Sequence, residues 1–418
     1  MNADVCVIGG GASGMMAAIT SARNKADTVL IEHGERVGRK LVITGNGKCN
    51  FTNRNMRPAC YHASADSFEM KAVSLFGPQD AIDFFRSVGV EPLEGKDGCI
   101  YPNSEQAASV LNALRMEMER LHIRVMLSFQ AEEIKADGGN GFLIRSGKDF
   151  LNADCLILAM GSPVRSSTGS DGSGYRIAES FGHTLNKPLP ALCSLTCSGK
   201  DFFREAEGVR VKASIRIECR GKVLDGDAGE LQIASNGLSG IPAFQVSRTA
   251  ARLLDRKEKV SAVVDFLPHE ENVFHFLMRR RDACPYPDME AFGNGLLNKK
   301  LWTALLKLSG IRPGLPCGEV TEEMMKRLSE AVKNQSFLLT GTGNFANAQT
   351  CTGGIRTNEV SPLTMESLKK KNLFLAGEIL DADGICGGYN LQWAWTSGYL
   401  AGKAASAAAK EKTGALNR

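Results

Sequence analysis

The sequence lacks several features that would have named a class outright. No Cys-x-x-C occurs among its twelve cysteines. Cys193 and Cys197 are near each other but have no matching His or Cys pair, so no metal site is expected. The other cysteines are scattered, which fits small buried hydrophobes in a reducing compartment. No apolar run approaches the length needed to cross a bilayer, so no membrane insertion is expected. No charged and then apolar leader precedes the first strand, which leads to the expectation of a soluble, cytoplasmic protein. The net charge is only +4 over 418 residues. No Lys/Arg stripe with interleaved aromatics stands out, so nucleic acid is not the expected partner. The apolar and charged fractions are ordinary for a globular chain. This length predicts two or three domains.

What is present is concentrated at the beginning. Val5-Cys6-Val7-Ile8 is short, apolar and β-favouring. It enters Gly9-Gly10-Gly11-Ala12-Ser13-Gly14, a G-x-G-x-x-G pattern. A helix is expected over Met15 to Asn24, then a second strand over Thr28 to Ile31, closed by Glu32. Strand, glycines, helix, strand and acid occur in the order of a dinucleotide-binding β-α-β unit. Gly9 permits the tight turn. Gly11, without a Cβ, lets backbone approach a pyrophosphate, and Gly14 lets helix and strand pack closely. The helix N-terminus offers N–H groups and a partial positive charge to phosphate. Glu32 stands where a carboxylate can accept from ribose hydroxyls.

Arg39 and Lys40 follow in a loop and either meet the phosphate or adenosine end of a ligand or form a solvated basic pair. Thr44 to Asn53 holds two glycines, three asparagines and two threonines in ten residues. So polar and turn-rich a loop, which includes Gly45, Asn46, Gly47, Cys49 and Asn50, suits a flat polar ligand better than a plain connector. Helical spacing is expected within residues 64–90, with Gly89 as C-cap, and again over Gln106 to Leu121. Gly138-Gly139-Asn140-Gly141 predicts a hairpin turn. The wholly apolar run to Met160-Gly161-Ser162 predicts a strand buried on both faces. Ser167 to Gly174 resembles a phosphate loop but lacks the Gly-Lys-Ser/Thr ending, and is read as a connector into a helix over Tyr175 to Phe181, with contact to a dinucleotide as the alternative. Strict alternation over Val209 to Cys219 predicts a half-exposed strand, with further strands over 229–233 and 260–266 and helices after Pro268. Thr340 to Ala346 imitates a second fingerprint, but no helix is expected after it, so it is discounted. Leu373 to Glu378 reads as a late strand ending at Gly377 and Glu378. A loop dense in Gly and Asp follows, including Asp383 and Gly388 to Asn390. An Ala-rich helix is expected from Leu391 to Lys410.

A strand that returns late to complete the first domain suits FAD, whose extended body needs contacts from both parts of the chain. The stretches Val5–Gly14, Gly38–Leu41, Thr44–Asn53, Gly237–Gly240, Gly353–Ile355, Thr364–Ser367 and Ala376–Trp395 resemble a bacterial family of NAD(P)/FAD-dependent oxidoreductases that includes aminoacetone oxidase and 3-dehydro-bile acid Δ4,6-reductase. The resemblance runs the full length. It implies an α/β fold: a Rossmann-like, glutathione-reductase-like FAD-binding domain with an inserted β-barrel-like unit and a small helical unit. The implied division is 1–190 and 339–418 for FAD, 191–267 for the β unit and 268–338 for the helical unit. By position, Glu32 would bind the adenosine ribose and Ala131 would make a backbone contact to adenine. Gly45–Asn50 and Gly388–Gln392, including Leu391 and Gln392, would lie against the isoalloxazine. Lys48 stands where the family often has Arg, Met160-Gly161-Ser162 where it has Thr-Gly-Gly, and Ala234-Ser235-Asn236 where it has Thr-His-Thr.

Three functions remain open at this point. The first is a reductase taking hydride from NAD(P)H, a transient co-substrate, to the conjugated C=C of a small apolar enone such as a 3-oxo bile acid. The second is an amine oxidase making peroxide. The third is a non-enzymatic flavin-binding protein. No catalytic residue is assigned; Tyr101, Tyr389 and Cys49 are candidate proton donors, each open to a packing role instead. The oligomeric state is not readable.

Overall fold

The structure, a computed structural model, describes residues 1–138, 141–283 and 286–416, with side chains as far as Lys412. It divides into two compact units, Met1–Pro188 with the stretch from Thr350 onward, and Leu189–Gln349.

The first unit is built on one sheet. Five strands run parallel in the order Arg124–Met126, Thr28–Ile31, Asn2–Ile8, Asp149–Leu158 and Leu373–Leu375. The strand Asp149–Leu158 has two neighbours along one edge. Asp149 to Ala153 pair antiparallel with Phe142–Ser146, and Leu156 to Leu158 pair parallel with Leu373–Leu375. Glu133–Ala136 pairs outside Phe142–Ser146, with Ala136 opposite Phe142. The tip of that hairpin, Gly139 and Asn140, lies outside the described residues, as does Cys284. The central strands read as unbroken apolar runs because both faces are covered: Val5, Cys6, Val7, Cys155, Leu156 and Ile157 are all fully buried.

Two helices lie against each other beside this sheet. Ala12–Arg23 is rich in small side chains, and Arg23 in its last turn suits the helix dipole. The final helix, Tyr389–Leu416, crosses it at Gly398 and Gly402. A Cβ on Gly398 would overlap the carbonyl of Ser13, and one on Gly402 that of Ala17. Ser21 Oγ donates to the Gly402 carbonyl at 3.1 Å. Backbone therefore meets backbone at this crossing.

The second unit contains the expected barrel, and it is closed. Its strand order is Leu195–Cys197, Gly237–Gly240, Lys222–Ala234, Arg210–Cys219, Val260–Asp265 and Gln335–Thr342. The last of these follows the helices Val273–Ala283, Met289–Phe292, Lys299–Leu308 and Glu322–Lys333 in the chain, so the barrel closes only after the helical segment is made. Barrel and helices share one apolar core that runs from Leu195 and Ile215 to Trp302 and Leu328. The helix Ile241–Asp255 was not expected from the sequence. Its signal was present: Pro242 in the first turn, and Ala243, Val246 and Ala250 buried on one face. After Thr342 the chain stays irregular and then extended, with no helix before Thr350–Ile355.

Candidate active site

The parallel strands end in one row. Ile8 lies opposite both Ile31 and Leu158, and Leu158 lies opposite Leu375. The residues that follow, Gly9, Glu32, Ala159 and Ala376, therefore leave the sheet at one edge. Gly9 N–H donates to Ile31 O at 2.8 Å, Ala159 N–H to Ile8 O at 2.8 Å, and Ala376 N–H to Leu158 O at 3.0 Å. This carboxyl edge, at the switch in strand order, is where open α/β sheets bind ligands.

The first turn has the geometry that the glycine pattern requires. Gly9 has φ +108°, and a Cβ there would overlap the Ala159 carbonyl. A Cβ on Gly14 would overlap the Gly9 carbonyl, so the helix start sits directly on the turn. A Cβ on Gly11 would meet nothing within 4 Å. The helix begun by Ala12 and Ser13 has no side-chain cap and no acid in its first turn. An open backbone cradle at an uncapped helix N-terminus fits a pyrophosphate. The Glu32 carboxylate accepts from Gly10 N–H and Gly34 N–H, each at 2.7 Å, and is 13% exposed. The bonds fix its direction and leave lone pairs for ribose hydroxyls. Ala131 lies two residues beyond Phe129, whose N–H donates to the Glu32 carbonyl at 3.1 Å, and is half-buried.

Glu378 gathers distant parts of the unit. Lys40 Nζ approaches its Oε2 at 2.6 Å, Ser162 Oγ donates to the same oxygen at 3.0 Å, and Thr350 Oγ1 donates to Oε1 at 3.0 Å. Arg39 takes a different partner, the Ser167 carbonyl at 2.6 Å. Ser170 holds the turn at Gly161 by donating to Met160 O at 3.1 Å. Next to Glu378, Gly377 has φ +80°, and a Cβ there would overlap Ser13 Oγ. Gly377 N–H donates to Ser397 Oγ at 2.9 Å, and Trp393 Nε1 donates to Gly377 O at 3.2 Å.

The Gly45 loop and the start of the last helix are also joined. Gly45, Asn46 and Gly47 take left-handed backbone angles and are exposed, while Cys49 is buried. Asn50 Oδ1 accepts from Ile100 N–H at 3.2 Å, and a Cβ on Gly388 would come 2.8 Å from that same oxygen. Asn53 Nδ2 donates to Gly387 O at 2.9 Å, and Trp395 Nε1 to Phe51 O at 2.9 Å. Asn390 clasps the preceding turn, accepting from Gly384 N–H at 2.9 Å and donating to Gly384 O at 2.7 Å. Asp383 is buried and its residue pairs with His62. Leu391 is half-buried. Gln392 is fully buried, with its side chain bonded to Thr52, Phe76 O and Thr396. Its amide is thus committed to the protein, unlike the exposed groups of the Gly45 loop.

The three candidate proton donors all hold their protons tightly. Burial pushes the Cys49 thiol up to about 12. Burial raises Tyr101, helped by Cys99, and burial with Cys60 raises Tyr389.

Sequence reasoning did not pick out Thr350, Ser397 or the Gly398/Gly402 pair. Gly398 and Gly402 carried a readable signal, small residues four apart in a helix of few charges. Thr350 carried none, because a threonine in a Thr- and Gly-rich stretch is common. Among the described residues no group of three or more His, Cys, Asp or Glu could hold a metal ion, and no helix is long and apolar enough to cross a membrane. All eleven described cysteines are free thiols.

The chain is 43% identical over 404 residues to the 3-dehydro-bile acid Δ(4,6)-reductase of Clostridium scindens, covering 96% of this chain and 98% of that protein. It is 28% identical over 397 residues to the ribosomal RNA dihydrouridine synthase of Haemophilus influenzae, covering 94% and 96%. Among solved structures, the 3-ketosteroid Δ1-dehydrogenase of Sterolibacterium denitrificans matches with a TM-score of 0.50 at 10% identity, over 97% of this chain and 99% of that one, a likeness of fold alone. The model of the HI0933-like protein Rossmann domain matches residues 3–404, and the chain belongs to that family.

Proposed function

We propose that this protein is an FAD-dependent oxidoreductase that uses NAD(P)H to reduce a carbonyl-conjugated C=C in a small apolar substrate, of the 3-oxo bile acid kind. The observation that carries this reading is the 43% identity with the Clostridium reductase over 96% of the chain. The row of strand ends supports a dinucleotide there, since the open cradle at Gly11 and the directed Glu32 carboxylate suit its pyrophosphate and ribose.

When bound, FAD supplies the two-electron transfer. The chain's own residues do the rest. The N–H groups at the start of Ala12–Arg23 would hold the phosphates. The Lys40–Glu378–Ser162–Thr350 cluster fixes the turn at Gly377, and Glu378 would be one of the residues that hold the cofactor. Gly45 to Asn50 and Gly388 to Gln392 would hold the flavin ring, and the N–H groups of the exposed residues Asn46 and Gly47 would offer donors to negative charge there. The loops around that place would have to leave room for substrate to be held beside the cofactor, in an orientation fixed by the protein.

The test is anaerobic. FAD-loaded protein should bleach with NADH or NADPH and regain its colour with a 3-oxo-Δ4 or Δ4,6 steroid acid, whose product carries two more hydrogens. Failure of both nicotinamides to bleach the flavin rejects this donor. The 28% identity with a dihydrouridine synthase favours a second reading, because the uracil ring also holds a C=C conjugated to a carbonyl. Recovery of colour with ribosomal RNA and not with the steroid would select it. Peroxide from aminoacetone in air without nicotinamide would select the amine-oxidase reading, and no turnover with any acceptor a binding role alone.

A further inference from the structure

The second unit holds a cavity of about 320 Å³ where the barrel meets its helices. Its walls come from Val211 on the strand Arg210–Cys219, Leu267 in the turn after Val260–Asp265, Phe276 on Val273–Ala283, and Leu296 and Leu297 just ahead of Lys299–Leu308. These apolar side chains are only half-buried, so water faces hydrocarbon there. The volume falls within the range of small-molecule sites, and the junction of two subassemblies is a usual place for one.

The polar groups are at the rim. Lys212 and His269 are exposed and Glu270 is half-buried, and all three line the cavity. The cross-strand neighbour of Lys212 is Glu230, whose carboxylate is taken by Arg210 at 3.2 Å. Lys212 has no ion pair within 4 Å among the described residues and brings its positive charge to the rim of an apolar opening that Glu270 also lines. The turn beneath is rigidly made. Lys333 pairs with Asp265 at 2.8 Å and donates to Glu270 O at 2.7 Å, and Leu267 N–H donates to Asp265 Oδ1 at 2.9 Å.

We infer that this cavity is a second binding site, for a hydroxylated amphipathic carboxylic acid. The apolar body of the ligand covers Val211, Leu267, Phe276 and Leu297. Its carboxylate meets Lys212 and His269, and a hydroxyl donates to Glu270. The choice of steroid acids within that class rests on the proposed function, and the site itself does not. Such a site lets the enzyme hold a saturated steroid acid, a product-like molecule, at a place that performs no chemistry.

The probe is cholate, which has no conjugated C=C and cannot be reduced, together with a diazirine-bearing cholate for photolabelling. Both are applied to the full-length, FAD-loaded protein. Label should fall on peptides containing residues 211–212 and 266–276 and be chased by excess cholate. By equilibrium dialysis, Lys212→Ala should weaken binding roughly fivefold and Leu297→Trp, which fills the cavity, at least tenfold. Lys212 is exposed, so its variant keeps the experiment decisive if Leu297→Trp does not fold. Saturable label found only elsewhere, or wild-type affinity in Lys212→Ala, overturns the site. Enone reduction is measured in parallel on the same samples. Loss of the label with reduction intact supports a separate site. No reduction with the label retained overturns the proposed function and leaves this inference standing.

Discussion

Lys40 and Glu378 stand 338 positions apart in the chain and meet at 2.6 Å. The pair joins the loop after the first β-α-β unit to the turn that follows the last parallel strand. Ser162 and Thr350 complete the ring of donors around the same carboxylate. The two side chains are partly sheltered, at 26% and 19% exposure.

Removing the cation should loosen the cofactor site without unfolding the unit. Lys40→Met is expected to weaken FAD binding roughly tenfold, because a charge-assisted hydrogen bond is lost while Ser162 and Thr350 still satisfy the acid. Titration of apoprotein by flavin fluorescence measures it, and Lys40→Arg should restore most of the affinity. Equal affinity in Lys40→Met and wild type would mean the pair serves packing alone.

Gly14→Ala should do more. Its methyl would occupy the space of the Gly9 carbonyl, so the turn and helix must part. The purified variant is expected to be colourless and to remain so with added FAD. Circular dichroism establishes whether the fold survives; a yellow, stable variant would contradict the close approach.

The helix crossing gives a purely structural prediction. Gly402→Ala places a methyl against the Ala17 carbonyl. Overpacking of this kind costs about 1–3 kcal/mol, read as a lower midpoint in denaturant with unchanged slope. Substituting the exposed Lys410 of the same helix with Ala is the control and should leave the midpoint unchanged.

Cys49 should prove inert. Its thiol is buried and pushed up to about 12 by burial, against the partial help of a hydrogen bond with Thr44. Native protein should resist iodoacetamide at this position at pH 8, and Cys49→Ala should keep its turnover within about twofold. Rapid labelling, or a turnover limb that vanishes in the variant, would restore the thiol as a proton donor.

A buried histidine makes stability depend on pH. His183 Nε2 lies 2.7 Å from Ser367 Oγ, and Nδ1 lies 3.3 Å from Glu359. Burial lowers its pKa below 6.5, with Glu359 opposing and Lys369 assisting. The unfolded chain therefore takes the proton first as pH falls. The contribution to stability is full above about pH 6.5 and is lost as the pH drops from there through the lower folded value. The melting temperature should decline over that window in the wild type and decline less in His183→Gln. Parallel pH curves for the two proteins would remove His183 from the account.

Much of the first unit was legible because its signals are local. The glycines of the first turn, the acid at position 32, the apolar run into Gly161 and the polar loop from Gly45 each declare their conformation within about ten residues. The signal of the helix Ile241–Asp255 is equally local but is masked by the strand alternation around it. Other features lay beyond any reading by spacing. The strand Gln335–Thr342 looks like any extended segment until Val260–Asp265 and Leu195–Cys197 pair with it and close the barrel. The buried amide of Gln392 looks like any other on a helix until Thr52 and Phe76 claim it.

The amino-acid order by itself determined which segments turn, extend or coil, since backbone sterics and apolar periodicity act between near neighbours. Only the tertiary structure decided that Ile8, Ile31, Leu158 and Leu375 end level with one another, and that Lys40, Ser162 and Thr350 share one carboxylate. Strand register and side-chain partnership are set by packing between segments hundreds of residues apart, and no local pattern carries that information.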